Sequence, residues 1–362
     1  MPLQTLRFNS AGPMPEAVGV TIGALEVALD EKVPTRKLDR NLLIASWNIR
    51  GLGGYTPKWE TASSDSPKRN LADLHYIAEI VSRFDILAIQ ETKDNLKALR
   101  VIMNLLGSDW GLLMSDVTHG AKGNLERLGY LFDVRRVRPT GLVGELVLSP
   151  EELRDLRAIR KSHPFPTDAL AGKTEKEKQA IELEREHGGQ LDRTPYVASF
   201  TSAGRPFMLA SVHIVWGDTG DLERRAEEAG QLAQMLETTI KGPTGQQPDE
   251  FRANLLALGD FNAERDDDPI VTAMKGRGMI TAALLEGKRR TISDSPGTGG
   301  KIAYDQFAWF PPETRLPGAL RLPILGGDSF EWDKHILQGA PSKDFRISDH
   351  LPLWLELSVR ED

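Results

Sequence analysis

The chain has 362 residues, of which 40% are hydrophobic and 27% charged, a composition that excludes disordered and fibrous proteins. It contains no cysteine, which excludes disulfides and zinc–thiolate sites. The net charge of −7 argues against a broad surface that coats nucleic acid, although metal ions bound at a carboxylate cluster would cancel charge locally in a nuclease.

The first forty residues are predicted to form an N-terminal arm, followed by one domain over 41–362. The apolar run 19–25 is interrupted by glycines and is not preceded by a basic segment, so no secretory signal is predicted. No run reaches the length of a membrane span. We therefore expect a cytoplasmic protein without a membrane span, and the sequence does not indicate a protein partner.

Strands and helices alternate along the predicted domain. Apolar residues recur at helical spacing after Asn70 and again over 221–240, which predicts two amphipathic helices. The segment 150–192 is rich in charge and shows this periodicity only weakly, with Pro164 and Pro166 between two helical stretches, so we interpret it as a surface insertion. The other predicted elements are strands at 42–48, 85–91, 110–115, 128–134, 206–215 and 255–258, and a helix at 94–106.

Polar residues follow several of the predicted strands directly. Asn48 and Glu91 end the first two strands, Asp260 and Asn262 follow a later one, and the pair Asp349-His350 lies near the C-terminus. A carboxylate or amide at the end of a buried strand is an oxygen ligand on a rigid support. Each residue alone would be an ordinary turn residue, but the repetition indicates one shared polar site.

These segments together resemble the endonuclease/exonuclease/phosphatase family, and within it the deoxyribonuclease I-like branch. The resemblance spans 42–358 and implies a four-layer α/β sandwich, with two mixed β-sheets packed face to face and helices outside. The alternation of strands and helices alone would also fit a doubly wound sheet. The resemblance also implies loops or insertions at 150–192 and 310–335. It rests on the segments 47–50, 89–91, 211–213, 259–262, 304–307 and 348–350, with Glu126 in 125–132, Arg193 in 193–196 and Gly217-Asp218 indicating the branch.

The resemblance implies a Mg²⁺ or Mn²⁺ ion held by oxygen ligands. Glu91 is the first candidate ligand, with Asn48 beside it and Asp349 as a further carboxylate. Such ions use few protein carboxylates, because water and substrate phosphate complete the coordination shell.

The resemblance also assigns catalytic candidates. His350 paired with Asp305 is expected to act as base or as a contact to the phosphate, and His213 oriented by Glu126 as the acid. Asp260 would orient or deprotonate water or protonate the leaving group, and Asn262 would donate to the phosphate. Arg193 is expected to bind substrate phosphate, and Lys93 stands where a basic side chain would probe DNA. The sequence leaves open which group moves which proton.

The substrate implied first is DNA, cleaved by an endonuclease. Two departures weaken that prediction, since Lys93 replaces an arginine and Asn124 an aromatic residue of the branch. One alternative is a phosphatase or phosphodiesterase acting on a phospholipid, inositol phosphate or nucleotide, for which the aromatic segment 307–312 would be an exposed hairpin. The other is a catalytically inactive binding module that keeps the fold.

Overall fold

The structure is a computed structural model, and the residues it describes fall in ten ranges. They are 11–118, 125–147, 150, 154, 191, 193–216, 222–241, 254–293, 302–337 and 345–360. Nearly all of the predicted insertion 150–192 lies outside the described residues, as do Asn124 and Gly217-Asp218.

The described chain alternates helices and strands, as the sequence predicts. The helices are α1 Glu16–Lys32, α2 Leu71–Val81, α3 Lys97–Leu106, α4 Leu222–Lys241, α5 Pro269–Gly276 and α6 Asp333–Ile336. The strands are β1 Asn41–Leu52, β2 Ile86–Lys93, β3 Trp110–Met114, β4 Glu126–Asp133, β5 Arg138–Glu145, β6 Tyr196–Ser202, β7 Arg205–His213, β8 Leu255–Asp260, β9 Ile280–Thr281, β10 Asp305–Trp309, β11 Ile324–Ser329 and β12 Leu353–Ser358.

In the described part of the chain these strands form two six-stranded mixed sheets. The first has the order β11-β12-β1-β2-β4-β3, and the second β5-β6-β7-β8-β10-β9. Each sheet has one parallel pair at its centre, β1 with β2 and β7 with β8, and antiparallel neighbours outside it. Parallel neighbours need a crossover connection, and helix α2 lies between β1 and β2 in the chain as α4 does between β7 and β8.

Strand β1 shows how the sequence produces the layers. Its alternate residues Leu42 and Ile44 are buried between the two sheets, whereas Leu43 and Ala45 are buried on the side of the helices. A second helical layer, which contains α4 and α5, packs on the outer face of the second sheet. Full burial of each such aliphatic side chain contributes about 1.5–3 kcal/mol. The four-layer sandwich predicted from the resemblance is confirmed.

The segment predicted as an N-terminal arm contains helix α1. Leu25 and Leu29 of this helix are fully buried in the core on the outer face of the first sheet. The Trp59 indole N–H also donates to the carbonyl of Gly12 at 3.2 Å. Among the described helices, none is long and apolar enough to cross a bilayer.

The segment 310–335, expected to form loops or insertions at the sheet ends, contains strand β11. This strand pairs with β12 at the edge of the first sheet, with an irregularity in register between Ile324 and Gly326. Gly326 and Gly327 weaken the alternating pattern by which a strand is recognised. The sequence signal is therefore poor although the strand pairs along its length.

Candidate functional site

A cavity of about 320 Å³ lies where the parallel pairs of the two sheets end. Strands β1 and β2 run parallel in register from Ile44 opposite Ile86, and β7 and β8 end together with His213 opposite Asp260. The carboxyl ends of all four strands thus meet at one edge of the sandwich. The cavity is lined by Glu91, Arg193, His213, Val215, Trp216, Asp260, Asn262, Tyr304, Asp349 and His350.

Asn48 connects the two sheets at this cavity. Its amide nitrogen donates to Glu91 at 3.0 Å and to Asp260 at 2.9 Å, so one side chain links carboxylates of both sheets. Asn48 is 1% exposed, and its amide oxygen accepts no hydrogen bond from the described residues. A buried oxygen without a donor has a net cost unless another group, such as a cation, satisfies it.

Glu91 is held in an unusual backbone conformation. Its φ of 59° lies in the left-handed region, which costs a non-glycine residue about 1 kcal/mol, and the register of β2 shifts between Ile89 and Thr92. The turned side chain accepts from the Gly51 N–H at 3.0 Å. The strain therefore points a fixed carboxylate into the cavity.

The oxygen atoms at this edge fit a hard divalent cation. In the described residues no three His, Cys, Asp or Glu side chains form a cluster that would hold a metal ion unaided. Mg²⁺ does not require one, because it is commonly bound by one or two carboxylates together with water and substrate phosphate. The Glu91 carboxylate and the unsatisfied Asn48 amide oxygen are oxygen donors of the kind that such an ion accepts.

Asp349, the third predicted ligand, faces the same cavity and forms an ion pair with Arg50. The Arg50 guanidinium also lies 4.2 Å above the centre of the Phe345 ring. The Asp349 side chain is 27% exposed, and that of Arg50 45%. This pair is therefore accessible to solvent and to an entering ligand.

His350 is fixed on both its ring and its backbone. Its Nδ1 lies 2.7 Å from Asp305 Oδ2, and its carbonyl accepts from the indoles of Trp47 at 2.9 Å and Trp332 at 3.1 Å. Burial alone would lower the pKa of His350, but the carboxylates of Asp305 and Asp260 outweigh it and raise the pKa to about 10. The imidazole is therefore a cation with its Nε2 facing the cavity.

His213 has the opposite electrostatic character. Its Nδ1 lies 3.4 Å from Glu126 Oε2, and its Nε2 contacts a guanidinium nitrogen of Arg193. Burial, together with the charges of Arg193, His350 and Lys93, lowers the pKa of His213 well below its usual value. A neutral imidazole accepts a proton more readily than it supplies one, and the expected role of His213 as acid stays a prediction.

Glu126 contacts two basic side chains on this side of the site. Lys93 donates to it at 2.8 Å, and Arg193 lies 3.2 Å away. Burial raises the pKa of Glu126, although both cations oppose the shift. The structure thus brings Glu126, Arg193 and Lys93 together, with Lys93 in an ion pair.

Asp260 lies between the two histidines. Its Oδ2 is 3.7 Å from Nε2 of His213 and 3.7 Å from Nε2 of His350. Its Oδ1 accepts the Asn262 backbone N–H at 2.9 Å, while the Asn262 amide donates to the carbonyl of Ile214 at 2.6 Å. Burial raises the pKa of Asp260 to about 6, so the carboxylate can exchange protons near neutral pH.

Arg69 supports the site and was not identified from the sequence. Its buried guanidinium donates to the carbonyls of Arg50 and Gly51 on one segment, and of Arg346 and Ile347 on another, at 2.8–3.0 Å. Burial lowers its pKa to about 10, so it remains charged at neutral pH. Because its acceptors are backbone atoms, no sequence motif marks this role.

Trp216 and Tyr304 also line the cavity and were not identified as site residues from the sequence. Their rings are 5.2 Å apart at 76°, and Tyr304 lies 5.8 Å from the His350 ring. The position of Trp216, three residues after the candidate His213, is the one sequence feature that could have indicated its place at the site.

A sequence profile described as the Endonuclease/Exonuclease/phosphatase family matches residues 45–350. A search among curated proteins found no match to the chain.

Solved structures share the fold at low sequence identity. A family protein from Bacteroides thetaiotaomicron is 16% identical with a TM-score of 0.53, and the alignment covers 88% of this chain and 95% of that one. The human Nocturnin catalytic domain with bound sulfate anion is 14% identical with a TM-score of 0.52, covering 89% and 95%. D. rerio TDP2 complexed with single strand DNA product is 14% identical with a TM-score of 0.52, covering 88% and 98%.

Proposed function

The chain belongs to the endonuclease/exonuclease/phosphatase family, and on that premise we propose that it is a divalent-metal-dependent phosphodiester hydrolase with DNA as its substrate. The observation that carries the proposal is the position of Asp260, whose Oδ2 lies 3.7 Å from each of two histidines of opposite charge character. Phosphodiester hydrolysis needs a group that accepts a proton from water and a cation that stabilises the phosphate. Both kinds of group are present at this cavity.

Glu91 and Asn48 are proposed to hold the cation through their side-chain oxygens, with Asp349 as a further carboxylate. A bound Mg²⁺ or Mn²⁺ ion would neutralise charge on the nonbridging phosphate oxygens and on the departing oxygen. The Asn48 amide oxygen would bind the cation in a fixed orientation, since the amide nitrogen donates hydrogen bonds to Glu91 and Asp260.

The proton-moving groups are proposed to be Asp260 and the two histidines. Asp260, with a pKa of about 6, accepts the proton of the attacking water. The His350 imidazolium, held by Asp305, donates from Nε2 to the phosphate as negative charge develops. The neutral His213, held at Nδ1 by Glu126, accepts a hydrogen bond from water at Nε2 on the other side.

Arg193 and Asn262 are proposed to contact the phosphate. Both line the cavity, and a guanidinium suits the geometry of phosphate oxygens. One amide N–H of Asn262 is used by the carbonyl of Ile214, which leaves the other for substrate. Lys93 supports this side through its ion pair with Glu126.

The aromatic segment considered for a lipid-acting enzyme does not favour that alternative. Phe307 and Phe310 are fully buried, and Trp309 is 7% exposed. These rings belong to the cores on the two faces of the second sheet. They do not form an exposed apolar hairpin of the kind that inserts into a membrane surface.

A panel of three substrates tests the proposed function. Supercoiled plasmid, a bis-aryl phosphodiester and an aryl phosphomonoester are incubated with the protein and Mg²⁺, Mn²⁺ or EDTA, and with the Asp260→Asn variant. We expect nicking of the plasmid and hydrolysis of the diester with metal only, and loss of both in the variant. Hydrolysis of the monoester alone would replace the proposal with a phosphatase, and inactivity on all three would contradict hydrolysis.

A further inference from the structure

Trp216 is exceptional among the tryptophans of the chain. Its side chain is 37% exposed, whereas the other six are at most 9% exposed, namely Trp47, Trp59, Trp110, Trp309, Trp332 and Trp354. A large ring at the edge of a cavity, rather than scattered on the surface, is typical of a ligand contact.

The Trp216 ring is fixed relative to the candidate catalytic groups. The Arg225 guanidinium lies over it, 4.3 Å from its centre, and is itself buried with 4% exposure. Arg225 also donates to the carbonyl of Asn262 at 2.7 Å. The Tyr304 ring meets Trp216 nearly at right angles and also contacts the His350 ring. Two separate links therefore set the distance between this ring and the place proposed for the phosphate.

We propose that Trp216 and Tyr304 form a subsite that stacks an unpaired nucleobase next to the scissile phosphate. This inference rests on the proposed function and names its substrate class more narrowly. A cavity of about 320 Å³ is at the lower end of ligand-site volumes, so it admits a phosphate and one adjoining group. A base can lie against an aromatic ring only when it is unstacked, as in a single strand.

The charge of the cavity supports an uncharged planar ligand at this position. Glu91, Asp260, Asp349, Arg193 and His350 form the charged part of the lining, and all five are assigned above to the cation, the proton transfers or the phosphate. A nucleobase carries no net charge, and stacking depends on ring contact rather than on ion pairing. The aromatic rings thus provide binding that the carboxylates do not oppose.

Two non-hydrolysable ligands separate base recognition from turnover. One is the 5′-phosphonate of deoxyadenosine, in which carbon replaces the ester oxygen, and the other is the matching phosphonate of deoxyribose without a base. Their dissociation constants are measured by calorimetry with Mg²⁺ present. The change in tryptophan fluorescence on ligand binding provides a second readout, because Trp216 is the exposed tryptophan.

Three variants are compared with the parent protein. Trp216→Ala removes the ring, Trp216→Phe keeps an aromatic face, and Trp110→Phe removes a buried tryptophan on the first sheet as the control. We expect Trp216→Ala to reduce the preference for the nucleoside phosphonate by roughly 5- to 150-fold, the range found for base stacking. Trp216→Phe is expected to retain most of the preference. The ligand-induced emission change is expected to persist in Trp110→Phe and to vanish in Trp216→Phe.

Equal affinity of the parent protein for the two phosphonates would overturn the subsite. So would an equal loss of affinity for both in Trp216→Ala, because that result indicates a structural role. Hydrolysis of the bis-aryl diester without any preference for the base would leave the proposed hydrolase intact and remove only this inference. Lack of diester hydrolysis would contradict the proposed function whatever the binding result.

Discussion

The Asn48 amide, at the end of β1 in one sheet, donates a 2.9 Å hydrogen bond to the Asp260 carboxylate, at the end of β8 in the other. Apolar side chains pack between the two sheets, and further hydrogen bonds join them, from Gln90 to Ser211 and from Tyr130 to the carbonyl of Leu209. The Asn48 bond joins the sheets at the candidate site itself, among the groups proposed to act on the phosphate.

We predict that Asn48→Ala will lower both stability and activity. The change removes two hydrogen bonds to carboxylates, which should reduce the free energy of unfolding by about 1–3 kcal/mol. Diester hydrolysis should fall on the order of 100-fold because the site loses its orientation. Asn41 is the matched control, since its buried amide donates to Glu356 at the opposite end of β1. Asn41→Ala should lower the free energy of unfolding, measured with urea, and should have little effect on kcat, measured by steady-state kinetics. An equal loss of kcat in Asn41→Ala and Asn48→Ala would refute the role of Asn48 in orienting the site.

Replacement of Arg69 should weaken the connection between the two segments at the edge of the site, residues 50–51 and 346–347. Arg69→Met deprives four carbonyls on two segments of their donor, so we expect a loss of about 3 kcal/mol in the free energy of unfolding. Mg²⁺ affinity should also fall, because Gly51 positions Glu91 and the other segment leads to Asp349.

Arg321→Met is the comparison for Arg69, since the exposed Arg321 also donates to backbone carbonyls but lies away from the site. Arg321→Met should change neither the free energy of unfolding nor the free energy of Mg²⁺ binding by more than about 0.5 kcal/mol. Similar calorimetric Mg²⁺ affinities for Arg69→Met and the parent protein would argue against a positioning role.

Glu91→Gln tests the proposed cation ligand. An amide is a weaker ligand than a carboxylate for Mg²⁺, so the Mg²⁺ concentration needed for half-maximal hydrolysis should rise about 10-fold or more. Asp328→Asn, on the edge strand β11 and outside the lining of the cavity, provides a carboxylate control and should leave the Mg²⁺ requirement unchanged. Unaltered Mg²⁺ dependence in Glu91→Gln would exclude Glu91 as a ligand.

His75 should make the protein sensitive to acid. Burial lowers its pKa to about 4 in the folded protein, whereas an unfolded histidine titrates near 6.5. Below pH 6.5 the unfolded chain takes up a proton that the folded chain does not, so stability falls by up to about 1.4 kcal/mol per pH unit until pH 4. In His75→Phe the decline of unfolding free energy between pH 6.5 and 4.5 should be shallower; an identical slope would show that His75 does not contribute.

Much of the fold was predictable from the apolar residues. Those of β1 face two buried layers in alternation, and those of the helices recur with the helical period of 3.6 residues. The strand β11 was missed, since Gly326 and Gly327 carry no side chains that would mark a pattern. Helix α1 was missed within the predicted arm. Its buried residues Leu25 and Leu29 are four apart, but the glycines around 19–23 obscure the stripe.

The site was predictable where side chains follow strands, as for Asn48, Glu91 and Asp260. Supporting residues were not, because their partners are distant in sequence and lack distinctive chemistry. Arg69 reaches the carbonyl of Arg346, 277 positions away. The charge states of the histidines also depend on burial and neighbours, which the sequence does not provide.

The most direct test of the central claim is Mg²⁺-dependent nicking of supercoiled plasmid by the parent protein, His350→Ala and His335→Ala. His335 lies in α6, stacked on Phe330, and is the control histidine. We predict nicking that EDTA abolishes, that His335→Ala retains, and that His350→Ala loses by on the order of 100-fold or more. Equal metal-dependent nicking by His350→Ala and the parent protein would contradict the assignment of this cavity as the hydrolytic site.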